Sequence, residues 1–331
     1  DGFVDRASSN LRSYYLSGGF VSEKTTVRAV VFGGKAITYQ AWNGIDSATM
    51  ATNRTFNSAG ALYDDAWNVI GFYDNEIDNY EQNHYQLHVN QLLTQRLTLN
   101  VSLHYTKGWG FYVLYKQSQY MPDYGIEPIY IGSDTINYTD LIRRKWLQND
   151  FYGAIFNLEY ANNFLTSILG GGYQQYDGDH FGEVIWARDA SQTEIRHHYY
   201  NSVSGKTDWN IYWKNLIKVN EKITAFVDVQ LRSVNYKAAG TDDDVADFSF
   251  SQQNLFFNPK VGLTYKINTN DKIFASYAVA NKEPNRTDLI YADPANLPRP
   301  EHLQDFELGY EFSGEKFQFK SNAFLMFYTD Q

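Results

Sequence analysis

The sequence predicts an all-β chain: a transmembrane, antiparallel, up-and-down β-barrel, with about twelve strands present. Strand-like stretches fill the 331 residues, and the gaps between them alternate between very short and long. The short gaps are Glu23-Lys24, Thr94-Gln95-Arg96, Asn162-Asn163, Asn220-Glu221, Asn268 to Asp271 and Gly314-Glu315. The long ones fall near 41–78, 111–148, 177–206, 237–253 and 282–301. A sheet with tight turns on one side of a membrane and long loops on the other gives this asymmetry. Aromatics make up 17% of the chain, with 27 Tyr and 22 Phe, yet mean hydropathy is −0.48. A barrel wall reconciles the two, because only alternate residues touch hydrocarbon while the others line a wet interior.

The strands follow in order. Stretches 10–22, 25–40 and 79–93 are long enough to cross a bilayer, which takes ~9–11 tilted residues. Leu97, Leu99, Val101, Leu103 and Tyr105 then alternate with Thr98, Asn100, Ser102 and His104, a period-two signal. Stretches 149–161, 164–176 and 207–219 come next. Ile223, Ala225, Val227, Val229 and Leu231 alternate with Thr224, Asp228, Gln230 and Arg232. After 255–267 and 272–281, Phe306, Leu308, Tyr310 and Phe312 alternate with Asp305, Glu307, Gly309 and Glu311. Carboxylates on that face need a wet or plugged lumen rather than a dry core. Stretch 316–328 closes the series. Tyr14, Tyr15, Tyr39, Trp42, Tyr105, Trp109, Tyr160, Trp209, Tyr212 and Trp213 stand near strand ends, where interfacial girdles are expected.

Several classes are excluded. The longest apolar run, Ala323 to Tyr328, is far short of the ~18–20 residues of a membrane-spanning helix. There is no Cys, hence no disulfide framework, thiolate metal site or cysteine nucleophile. A net charge of −10 and the run Asp242-Asp243-Asp244 argue against nucleic acid. Asp1-Gly2-Phe3 has neither a basic nor an apolar leader region, as expected of a mature chain or a fragment. Spacing between short turns falls steadily, unlike a fixed-period solenoid, so residues 1–331 read as one architecture.

Chemistry-bearing residues concentrate in the long gaps. Within 177–206 lie Asp177, Asp179, His180, Glu183, Trp186, Arg188, His197 and His198. These could ligate a metal directly, meet a ligand, or simply keep a surface hairpin wet. Arg143-Arg144-Lys145-Trp146 is the densest positive cluster, suited to carboxylates or phosphates, including those of lipopolysaccharide. Gly170-Gly171-Gly172 sits within a strand pattern with no helix after it, so it marks a bend or close backbone approach rather than a phosphate cradle. No carboxylate pair comes with a spaced His or Ser partner resembling a catalytic set, and no cofactor is expected.

Asn258-Pro259-Lys260-Val261-Gly262-Leu263-Thr264-Tyr265, then Ile273 to Pro284, resembles the late barrel of TonB-dependent outer-membrane receptors. Arg299-Pro300-Glu301 through Phe306-Glu307-Leu308-Gly309 resembles the same family's L-K-P-E and Y/F-E-x-G pattern, with Arg299 for Lys. Asp1 to Leu11 is similar to an early strand of Bacteroidetes-type iron-complex receptors. The resemblance implies an outer-membrane receptor, not an enzyme, importing a scarce bulky nutrient. A ferric siderophore or other iron chelate comes first as cargo, then haem or cobalamin. It implies a 22-stranded, monomeric barrel against lipid and lipopolysaccharide, energised by TonB through an N-terminal plug. The chain is then expected to be a partial barrel lacking the plug and terminal strands. Loops 41–78, 111–148 and 177–206 are expected to supply ligand contacts. The candidates are Trp42, Arg143, Arg144, Asp177, Asp179, His180, Glu183, Trp186, Arg188, His197 and His198, touching the organic shell rather than the metal. The rivals are a passive porin-like channel and a soluble all-β glycan-binding module or hydrolase.

Overall fold

A computed structural model describes residues 2–242, 245–293 and 295–330; Asp243 and Asp244 lie outside them. In chain order the strands are β1 Ser9–Val21, β2 Thr25–Tyr39, β3 Ala61–Tyr63, β4 Val69–Phe72, β5 Ile77–Thr94 and β6 Leu97–Tyr120. There follow β7 Ile129–Ile131, β8 Asp134–Ile136, β9 Tyr138–Ala161, β10 Leu165–Ala187 and β11 His198–Lys218. The last five are β12 Ile223–Asp242, β13 Val245–Lys266, β14 Asp271–Lys282, β15 Glu301–Ser313 and β16 Gln318–Thr329. Short helices α1 (Ser47–Thr52) and α2 (Arg286–Ile290) sit in loops.

Twelve strands form one antiparallel sheet in the order β1-β2-β5-β6-β9-β10-β11-β12-β13-β14-β15-β16. The hairpins β3–β4 and β7–β8 are insertions in the loops after β2 and β6. Each expected strand is present, and the six short turns all lie at one end of the sheet. Asn162 and Asn220 shape two of them: the Asn162 side chain accepts from Phe164 and Leu165 N–H, and that of Asn220 from Lys222 and Ile223 N–H. The other end differs from expectation in where the strands stop. β6 and β9 each run 24 residues and β10 runs 23, so much of 111–148 and 177–206 is ladder rather than loop. Of the stretch 237–253, residues 237–242 and 245–253 belong to the upper ends of β12 and β13. In these extensions the outward face no longer needs apolar side chains, so the apolar/polar alternation that marks a spanning strand fades while the ladder continues.

Register divides the faces. Asn100 pairs with Asn157, Asn157 with Gly170, Gly170 with Tyr212, Tyr212 with Gln230 and Gln230 with Asn258, which puts all of them on one face. That face is concave: Asn100 on β6 and Lys260 on β13 line the same hollow with Asp228 and Glu159. Its polar groups satisfy one another. Asn90 donates to Asn100 at 2.6 Å, Asn100 to Asn157 at 2.9 Å, Asn258 to Gln230 at 3.0 Å and Asn281 to Asn258 at 2.8 Å. Tyr212 turns inward instead of joining a girdle, and its ring lies across Gly170. A Cβ there would stand 2.5 Å from the phenol ring, so the glycine is required.

The convex face is apolar, with Leu103, Ile211, Trp213, Leu231, Val261 and Leu263 on it. Tyr85, Tyr105 and Tyr152 pair across three strands as an upper aromatic row, and Tyr160 belongs to the lower one. Between Tyr152 and Tyr160 the wall rises about 20 Å at the usual strand rise and tilt, close to the apolar band of an outer-membrane barrel. Just above the upper row Lys107 pairs with Asp150 at 2.7 Å. β1 and β16 are exposed along their whole length as the outer strands of the sheet.

Arg at Val101, midway between the aromatic rows and facing outward, should destabilise the full-length protein by about 2–4 kcal/mol. Arg at Asn100 should cost far less. Folding titrations into vesicles compare the two, and equal costs would contradict the face assignment. Cysteines at Asn163 and Gln192 should differ in labelling by an impermeant reagent on intact cells, with only Gln192 reached from outside.

Candidate functional site

Elongation of β5, β6 and β9 to β12 beyond the aromatic rows raises a curved wall, and two loop segments fold onto its concave surface. The 3-10 turn Met121–Tyr124, closed by Gly125 at φ 65°, packs Met121, Tyr124 and Ile126 against Leu141 and Val184. The segment after β14 carries α2, whose Leu289 and Ile290 bury against Ala238, Phe248 and Phe250. Asn285 caps α2, accepting from Asp288 N–H at 2.9 Å, while the Asp288 carboxylate accepts from Asn285 N–H at 3.0 Å.

Between these segments lies a hollow of about 360 Å³ lined by Asp78, Tyr80, Tyr112, Lys145, His180, Tyr200, Asp242 and Arg286. The pairings Tyr112–Lys145, Lys145–Gly182 and Gly182–Tyr200, with Leu147–His180 one step below, place these side chains on the inner face. Lys145 Nζ stands 5.8 Å from the Tyr200 ring centroid. Arg286 donates to Asp242 at 3.0 Å and to Ser202 at 3.1 Å, and its guanidinium lies 5.5 Å from the Phe248 ring. Two cations, two carboxylates (Asp78 and Asp242, the latter paired with Arg286), an imidazole and three phenols around one hollow suit a ligand with hydroxyl or carboxylate edges and flat apolar faces. Among the described residues no three His, Asp or Glu side chains are grouped to hold a metal ion.

Beside the hollow, Glu283 reaches from the end of β14 to Lys206 on β11 at 2.6 Å and to Arg232 on β12 at 3.0 Å. Arg232 also holds Asp208 at 2.6 Å. Burial by itself would raise the Glu283 carboxyl; hydrogen bonds from Lys206, from its own backbone N–H and from Arg232 outweigh it and hold the group down at about 2.

Of the residues singled out in the sequence, His180 lines the hollow, and Trp42 stands beside it, edge-on to Tyr112 at 6.1 Å. The others are dispersed. Arg143 is inward but buried, donating to the Tyr124 and Tyr199 hydroxyls at 3.3 Å each. Arg144 points outward, 4.5 Å from the Phe111 ring and 3.5 Å from Glu183. Glu183 is buried and accepts from Trp146 Nε1 at 2.9 Å. Asp177 and Asp179 face outward, Asp177 accepting from Gln175 at 2.7 Å. Trp186 stacks on Tyr115 at 6.3 Å on the outer face. Arg188 pairs with Asp140, His197 meets the Tyr124 carbonyl, and His198 stacks on Phe181 at 4.3 Å. A period of two sends sequence neighbours to opposite faces, so a cluster dense in sequence is not a cluster in space. Tyr80, Tyr112, Tyr200 and Arg286 were not among the expected ligand contacts, and Lys145 was named only as part of the positive cluster. Lys145 could have been found by counting alternate positions upward from Asn157; Arg286 needed the fold of its loop.

As the pH falls from about 4.3, the ordinary value for Glu, toward 2, protonation of Glu283 should remove the stability its ion pairs contribute, which is fully present above that range. Spin labels at Thr287 and Lys237 should report the segment leaving the wall only in that window. Glu283→Gln should abolish the transition.

The family model of the TonB dependent receptor-like β-barrel matches residues 25–331. No curated protein matches the chain. Solved structures show the same fold. The ferric-catecholate import receptor Fiu from E. coli K12, in its closed form, has 12% identity and a TM-score of 0.64 over 98% of this chain and 52% of its own. The ferric citrate transporter FecA, unliganded, gives 11% and 0.68 over 98% and 44%. The copper transporter OprC gives 10% and 0.68 over 97% and 45%. This chain thus spans about half the length of the structures it matches. With its strand order, its two-faced wall and a family match over nearly its whole length, the chain belongs to the TonB-dependent receptor β-barrel family.

Proposed function

We propose that this chain is wall and mouth of an outer-membrane import receptor that captures a bulky anionic nutrient, a ferric siderophore or other iron chelate ahead of haem or cobalamin. The observation that carries the reading is the inner-face hollow, where Lys145, His180 and Arg286 converge with Tyr80, Tyr112 and Tyr200 above a polar, amide-lined wall. Contact is with the organic shell, since a chelated ferric ion leaves few positions for protein ligands. The cargo crosses without any bond being made or broken. The ferric receptors among the structural neighbours support this cargo class, and the copper transporter shows that the fold alone does not select it.

In the full-length receptor, further strands close the edges at β1 and β16, because a bilayer does not tolerate unpaired backbone groups. A plug fills the polar lumen and receives energy from TonB. The barrel sits as a monomer in the outer membrane, its convex face against lipid and lipopolysaccharide. A polar inner wall would also suit a passive pore; steady conductance through the reconstituted full-length protein would favour that reading.

Lys145→Gln and Arg286→Gln should each weaken binding of an anionic ferric chelate to cells carrying the receptor by about 10–100-fold, the range for losing one charge-assisted hydrogen bond. Arg188→Gln, remote from the hollow, should leave it unchanged. Equal affinity for all three would remove the hollow from the ligand path.

A further inference from the structure

The β13–β14 ladder is short. It runs only from Lys260–Ala278 to Lys266–Lys272, although β13 continues upward to Val245 beside β12. Pro259, which has no N–H to donate, stands where the pairing stops. Above it the Asn281 side chain bridges the gap, donating to Asn258 Oδ1 at 2.8 Å. Freed from the ladder, the chain after β14 turns inward and crosses the inside of β13, which is how Glu283 reaches β11 and β12. The segment is held at three kinds of point: Glu283 on Lys206 and Arg232, Arg286 on Asp242, and Leu289 with Ile290 in an apolar patch. Farther on, Gln252 donates to the Pro298 carbonyl at 3.2 Å.

We propose that residues 283–293 form a strap over the mouth whose inward position is latched by Glu283, and that release of this ion-paired carboxylate lets the strap swing out. Arg286 lies three residues beyond the latch and forms one wall of the hollow, so opening the strap withdraws that cation and widens the passage. The apolar contact is small, two side chains of a five-residue helix. The charged contact is enclosed, with the Glu283 side chain only 10% exposed. Removing Glu283 leaves Lys206 without its carboxylate and Arg232 with Asp208 alone, so the latched state depends on Glu283. The latch is internal to the chain and does not depend on which cargo the mouth receives.

Amide hydrogen exchange on the full-length protein in detergent micelles tests the latch without any ligand. Leu289 N–H bonds to the Asn285 carbonyl and Tyr291 N–H to that of Thr287, so both report the strap. Glu283→Gln should speed exchange at these two amides by about tenfold or more while the β11–β12 ladder stays protected. Lys206→Met, which removes one of the two partners, should give a smaller increase and guards against a variant that fails to fold. Unchanged exchange at Leu289 and Tyr291 in both variants would overturn the latch, because the apolar patch would then suffice. Equal loosening of the β11–β12 ladder would overturn it too, making Glu283 a general stabiliser of the wall.

Discussion

The constraint on which the rest of this structure depends is the interstrand ladder. Within a bilayer no water satisfies a free N–H or C=O, so every spanning segment must pair on both sides. Pairing forces a period of two, and that period sends each successive side chain to the opposite face. The apolar convex face, the amide row from Asn90 to Asn281 and the aromatic rows at Tyr152 and Tyr160 all follow from it. So does Gly170, whose missing side chain admits the Tyr212 ring.

Beyond the upper aromatic row the ladder persists while its apolar sorting ends. The strands there serve as a scaffold, holding Lys145, His180 and Tyr200 at fixed height around a mouth. Charges are placed on the inner side of the wall beside opposite charges, as Arg232 is beside Asp208 and Glu283. Above Pro259, where β13 and β14 cease to pair, a loop turns inward and carries Arg286 to the hollow. Local loss of backbone pairing is thus what lets a loop reach the site.

The fold was legible in the sequence because it is written in the period-two split of Leu97 to Tyr105 and of Ile223 to Leu231, together with the short/long alternation of gaps. Strand ends were not, because Asp177 to Ala187 carries no apolar alternation, while the alternation of Phe248 and Phe250 with Ser249 and Ser251 turns the phenylalanines to the inner face, against Leu289 and Ile290. The site was harder still. Arg143 and Arg144 are adjacent in sequence and point to opposite sides of the wall, one beneath Tyr124 and the other against Phe111. Residue type identified candidates, but only register could sort them, and the position of Arg286 depends on a loop whose path no local pattern encodes.

Site-directed spin labelling along β9 addresses the face partition most directly. Nitroxides placed singly from Tyr138 to Ala161 in the full-length protein in vesicles would be scored for access to oxygen, which concentrates in lipid, and to a water-soluble relaxer. Between Tyr160 and Tyr152 even positions should favour oxygen and odd positions the aqueous relaxer, with the oscillation fading above Asp150 as both faces enter water. An oscillation of the opposite phase, or one that continues unchanged to Arg143, would contradict the assignment of the inner face and, with it, the mouth.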